Sequence, residues 1–230
     1  FGGILAQLMG QRTLCVGYRL APEHPFPAAL DDALDAYRYL LSEGVAAREI
    51  TVCGESAGGG LCYALLLKIK EEGLPLPAAT VALSPWTDVA MEGETYETLK
   101  KKDPTIDAQM IKKSAAAYVG EGDVKNPLIS PLYGDLAGLP PSLIVVGDTE
   151  MLYSDSTRMV RQLALAGSDC RLRVGEGMWH VYALFGTKES RSALREIAQF
   201  IDERVPCLHS SGHSACTHCK SGQREVKLFG

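Results

Sequence analysis

The sequence lacks what membranes and nucleic acids require. No apolar run approaches the roughly 18 to 20 residues that cross a bilayer, and the longest apolar pieces, such as Leu143 to Val146, are strand-length. Lysine and arginine number 23 against 28 acids, a net charge of −5. The single basic run is Lys100-Lys101-Lys102, so no basic face for a phosphate backbone exists and nucleic acid is not an expected partner. Histidine is scarce, five in 230 residues, which narrows the search for a catalytic base. The seven cysteines are an odd number without the spacing of a disulfide framework, and a reducing, cytoplasmic compartment is favoured. An initiating methionine and a leader pattern are also missing: the chain opens on Phe1 and reads as a fragment or processed product.

What is present is ordinary globular material. With 46% hydrophobic and 22% charged residues, the chain can bury one substantial core, and disorder, collagen and coiled coil are excluded. Short β-branched runs at Thr13 to Gly17, Ile50 to Gly54, Ala79 to Ser84, Ser142 to Gly147 and Cys170 to Val174 read as five strands. Helical spacing separates them, over Ala28 to Leu41 behind Pro27 at the first helical position, Ala57 to Glu72, Ser154 to Ala166 and Ser190 to Val205. Strands alternating with helices give right-handed crossovers and a mostly parallel sheet covered on both faces, so the class is α/β. The stretch between Ser84 and Ser142 is longer than a crossover helix needs. Its Glu, Lys and Thr content and a helical segment near Ala108 to Tyr118 suit a small cap, about residues 88 to 126, over the carboxyl edge of the sheet.

Gly54-Glu55-Ser56-Ala57-Gly58 fits G-x-S-x-G. The bare pentapeptide is weak, but it falls at the end of a strand and the start of a helix, where a sharp turn exposes a serine beside free helix N–H groups. A serine hydroxyl needs a base. His24 lies between prolines and reads as structural; His209, His213 and His218 lie in the C-terminal tail; His180, after the last strand, stands at the edge where open α/β sheets gather their sites. The orienting carboxylate is expected after the preceding strand, where Asp148 and Glu150 compete; periodicity does not choose between them.

Tyr18-Arg19-Leu20-Ala21-Pro22-Glu23-His24-Pro25-Phe26-Pro27, Gly54 to Gly59, Ser84-Pro85-Trp86-Thr87-Asp88, Asp103-Pro104, Asn126-Pro127, Leu139-Pro140-Pro141 and Gly177-Met178-Trp179-His180 follow one another in an order that resembles the hormone-sensitive-lipase-like esterases, the bacterial family IV hydrolases and their arylacetamide-deacetylase relatives. The resemblance spans about residues 1 to 205. It implies an α/β-hydrolase domain over 1 to 206 and a carboxylic ester hydrolase acting on short to medium acyl chains through an acyl-enzyme, without cofactor or metal. Ser56 is then the nucleophile, His180 the base and Glu150, aligned with the family's aspartate, the acid ahead of Asp148. The Ala57 N–H serves the oxyanion, while Glu55, Trp86 and Trp179, with Tyr96 and Met110 of the cap, border the substrate pocket.

The family's H-G-G-G stretch is not found at its usual distance before Tyr18. Gly2-Gly3 read as part of a helix before Thr13, and oxyanion glycines and N-terminal strands are expected to be missing. Partners are then a small-molecule ester and at most a second copy of the chain. Alternatives are a non-catalytic small-molecule binder of the same fold, an inactive fragment and a prolyl-oligopeptidase-like peptidase, which shares the serine turn but not the Tyr18 block. The tail over 207 to 230 gathers Cys207, His209, His213, Cys216, His218 and Cys219. Cys216-x-x-Cys219 has no matching second pair, so a disordered appendage rather than a zinc site is expected there.

Overall fold

The computed structural model describes residues 2–205. Four strands, β1 (Thr51–Glu55), β2 (Ala79–Leu83), β3 (Ser142–Gly147) and β4 (Cys170–Gly175), form one parallel sheet in the order β1-β2-β3-β4. The helices are α1 (Gly2–Met9), α2 (Ala28–Ser42), α3 (Ala57–Glu71), α4 (Thr95–Thr98), α5 (Ala108–Val119), α6 (Tyr153–Leu165) and α7 (Lys188–Asp202). Pro27 stands one place outside α2, at its N-cap.

The side-chain alternation of the central strands divides the core. Val81, Leu83, Leu143 and Val145 point to the face covered by α1 and α7, where Leu5, Ala193, Ile197 and Phe200 meet them. Ala82 and Ile144 point the other way, into Tyr63 and Leu66 of α3 and Met159 and Leu163 of α6. β2 and β3 are buried along their whole length, which is why their sequences are continuously apolar rather than alternating. Helix α2 forms an outer layer on α3 through Leu30, Leu34 and Tyr37 against Leu65 and Ile69.

The expected strand at Thr13 to Gly17 is not formed. The segment has no regular structure, and Leu14 and Val16 are half or more than a third exposed, at 51% and 39%. A strand exists only with a ladder partner, and none lies beside this run among the described residues. Gly2 and Gly3 do belong to a helix, α1, which packs on α7 through Leu5.

Between β2 and β3 the chain makes an ordered excursion. Asp107 caps α5 by accepting the N–H groups of Gln109 and Met110. Tyr96, Ile111, Ala115 and Val119 pack with Trp86, Val89, Met151 and Leu152. Met151 and Leu152 follow β3, so this cluster lies beyond the carboxyl end of the sheet. No helix among the described residues is long and apolar enough to cross a membrane, and the cysteines and histidines of the tail lie outside the described residues.

Candidate active site

Ser56 occupies the single residue between β1 and α3. Its backbone is left-handed, φ 52 and ψ −122, a conformation that a side chain adopts only under constraint. The constraint is visible around it. A Cβ at Gly54 would lie 2.2 Å from the Gly58 carbonyl oxygen, and one at Gly60 would lie 2.0 Å from the Trp86 carbonyl oxygen, so the turn closes only on glycine. The Ser56 N–H donates to the Leu83 carbonyl at 2.9 Å, and the Ser56 carbonyl accepts the Trp86 N–H at 2.9 Å. The turn is thereby stitched to the end of β2. Behind it α3 begins with Ala57, which is exposed and carries a first-turn N–H that no helix carbonyl can reach.

The loops after β3 and β4 meet one strand further on. His180, in the loop after β4, is buried, and its Nδ1 faces Glu150 Oε1 at 3.4 Å. Glu150 is fully buried; its second oxygen, Oε2, accepts from Ser84 Oγ at 2.8 Å and from the Gly147 N–H at 3.0 Å. Asp148 points elsewhere. Its Oδ1 accepts the Gly177 N–H at 2.7 Å and, with Thr149 Oγ1 donating to the Met178 carbonyl at 2.7 Å, it braces the loop that delivers His180. Of the two competing acids, the structure brings Glu150 to the imidazole. Among the described residues Ser56 Oγ has no hydrogen-bond partner; its link to His180 and Glu150 runs through the turn from Leu83 to Trp86.

The remaining sequence candidates are spread around this rim. Glu55 is exposed beside Ser56. Trp86 is buried in the excursion's core, with its Nε1–H donating to the Asp88 carbonyl at 3.2 Å. Trp179 is half-buried, edge-on to Phe185 at 5.7 Å. Tyr96 is buried, while Met110 and His24 are exposed.

Three buried groups to which the sequence assigned no role support the loops. Asp103, from the excursion, accepts the Met151 N–H at 3.0 Å. Asp155 accepts the N–H groups of Thr87 and Asp88 at 2.9 and 2.8 Å; burial pushes its carboxyl up to about 8 against the pull of those donors. Ser84 is the third. Its stretch, Ser84-Pro85-Trp86-Thr87-Asp88, is one of those that carry the resemblance, but nothing in it assigns the serine a role. Among the described residues no group of three or more His, Cys, Asp or Glu side chains stands together as a metal site.

The sequence and the fold have counterparts among known proteins. A family model described as the alpha/beta hydrolase fold matches residues 1–184. An acetyl-hydrolase of Streptomyces hygroscopicus is 38% identical over 199 residues, covering 86% of this chain and 67% of that protein. An esterase of Acinetobacter venetianus is 32% identical over 200 residues, 85% of this chain and 66% of its own length. A crystal structure of an esterase from the bacterial hormone-sensitive lipase family superposes with a TM-score of 0.86 at 40% identity, covering 88% of this chain and 69% of that one. A hormone-sensitive lipase homologue from a metagenome library gives 0.86 at 41% identity, over 88% and 71%. The chain thus spans about two thirds of the length of these relatives, and on their identity and its matching fold it belongs to the alpha/beta hydrolase family, among the hormone-sensitive-lipase-like esterases.

Proposed function

We propose that this chain carries the serine machinery of a carboxylic ester hydrolase, with Ser56 as nucleophile, His180 as general base and Glu150 as the acid that orients the imidazole. The observation that carries this reading is the buried Glu150 to His180 contact at 3.4 Å on the same sheet edge as a left-handed serine between strand and helix. Ser56 Oγ attacks the acyl carbonyl while His180 takes its proton. The tetrahedral intermediate collapses, and His180 returns the proton to the departing alcohol. Water then attacks the acyl-enzyme with His180 again as base, releasing the acid and restoring the serine. Glu150, through Nδ1, holds the tautomer that leaves Nε2 free to act and stabilises the imidazolium. The Ala57 N–H at the start of α3 faces the developing oxyanion.

Esters of short to medium acyl chains are the substrates this reading expects, in keeping with the acetyl-hydrolase among the relatives. Glu55, Trp86 and Trp179 border the acyl and alcohol positions. A binder without chemistry would have no use for a strained serine, a buried base and a carboxylate arranged together. The test uses the natural full-length protein with p-nitrophenyl acetate and butyrate, alongside labelling by a fluorophosphonate read by peptide mass spectrometry. Hydrolysis and label on Ser56 are expected, and both are lost in Ser56→Ala. Retained hydrolysis in Ser56→Ala overturns the proposal.

A further inference from the structure

Ser84 directly follows β2, is fully buried, and precedes Pro85. Proline pushes the residue before it toward extended backbone, yet Ser84 stands at φ 46. A serine held there must be held by something. Its N–H donates to the Val145 carbonyl at 2.7 Å. Its hydroxyl donates to Glu150 Oε2 at 2.8 Å and accepts the Val181 N–H at 2.9 Å. Val181 follows His180 and is itself left-handed, φ 49, an unusual place for a β-branched residue. On either side of Ser84, the Leu83 carbonyl and the Trp86 N–H grip the backbone of Ser56 at 2.9 Å each. One turn therefore touches all three catalytic loops, and three of the four left-handed non-glycine residues of the described chain, Ser56, Ser84 and Val181, are joined through it.

We infer that Ser84 is a positioning residue for the hydrolysis proposed above, on which the inference rests: it fixes the rotamer of Glu150 and, through that carboxylate, the imidazole of His180. A hydroxyl carries one proton and accepting lone pairs. The Val181 N–H takes a lone pair, so the proton is aimed at Oε2. Oε2 is then occupied by Ser84 and the Gly147 N–H, and Oε1 is left to face the imidazole. Without the hydroxyl, the buried carboxylate loses one of its two fixed donors, and the Val181 N–H is orphaned beside the base.

The test compares Ser84→Ala and Ser84→Gly in the natural full-length protein. Glycine removes the hydroxyl and accepts φ 46 freely, so it keeps the experiment open if the alanine variant does not fold. Fluorophosphonate titration of Ser56 normalises the rates to the folded fraction. The expected result is a fall of about 10- to 100-fold in kcat with KM within about threefold, because the lost contact acts on the base rather than on substrate. A Ser84→Gly/Glu150→Gln double variant should be no slower than Glu150→Gln alone to within about twofold, since Ser84 acts through that carboxylate. A Ser84→Gly enzyme with wild-type kcat, or losses that multiply in the double variant, overturns the inference. If Ser56→Ala is inactive while Ser84→Gly is unimpaired, only the role of Ser84 falls; if Ser56→Ala keeps activity, the hydrolytic reading falls with it.

Discussion

The backbone N–H of Asp88 donates to Asp155 Oδ2 at 2.8 Å, bringing two fully buried acids together under the excursion. Burial pushes Asp155 up to about 8, well above its unfolded range, so the fold binds that proton more tightly than the open chain does. This contribution to stability is complete at low pH, below the unfolded carboxyl range, and is lost as pH rises toward about 8. Unfolding free energies from denaturant curves should fall through this group from pH 5 to about 8 at a slope of up to about 1.4 kcal/mol per unit and level off above it. Asp155→Asn should flatten the curve. Equal slopes in the two proteins would refute the assignment.

Asp88 is balanced by Arg158, 2.5 Å away and only 30% exposed, and by the hydroxyl of Tyr133 at 3.0 Å. Arg158→Met leaves that carboxylate buried without its cation, and the expected cost is about 3 kcal/mol, the low end for a broken buried pair because the arginine is partly solvated. Asp88→Asn added to Arg158→Met should recover part of the loss in urea unfolding. A double variant as unstable as the sum of the singles would contradict the pairing.

The two acids of the β3 loop should separate kinetically. Glu150→Gln is expected to lower kcat by at least about 100-fold, because the amide presents the wrong partner to Nδ1. Asp148→Asn keeps an oxygen for the Gly177 N–H and should stay within about tenfold of wild type. Indistinguishable losses in the two variants would leave the Glu150 assignment without support.

Two glycines should respond in opposite senses. Gly54→Ala forces its new methyl against the Gly58 carbonyl 2.2 Å away, so the serine turn must open, and fluorophosphonate labelling of Ser56 should slow by more than about 100-fold. Gly3→Ala, in the exposed part of α1 with nothing within 4 Å of the added carbon, should raise stability by about 0.5–1 kcal/mol through helix propensity alone. A Gly54→Ala protein labelled at the wild-type rate would show that the turn does not need the glycine.

Much of this was legible because the signals are local. The glycines around Ser56 and a histidine following the last strand announce themselves by residue type and position, and the unbroken apolar runs of β2 and β3 report two covered faces. Thr13 to Gly17 misled for the opposite reason. Its short β-branched, apolar run satisfies the strand pattern, yet a strand is a relation between two segments and the pattern records only one. The choice between Asp148 and Glu150 depended on how a loop folds back on itself, which spacing left open and the resemblance tipped toward Glu150. Ser84 stood in a matched stretch without a role, because its meaning comes from β2 lying between β1 and β3, a neighbourhood that no single stretch of chain encodes.

The strand order β1-β2-β3-β4 has a consequence for how such a protein can change over generations. Because successive loops at one sheet edge lie side by side, the excursion enters at Thr87 and Asp88, held by Asp155, and returns at Ser130 and Leu132, which bond Val89 and Thr87. Its outer surface, where Met110 sits exposed, makes no part of that seam and can vary in sequence without disturbing the Glu150 to His180 contact.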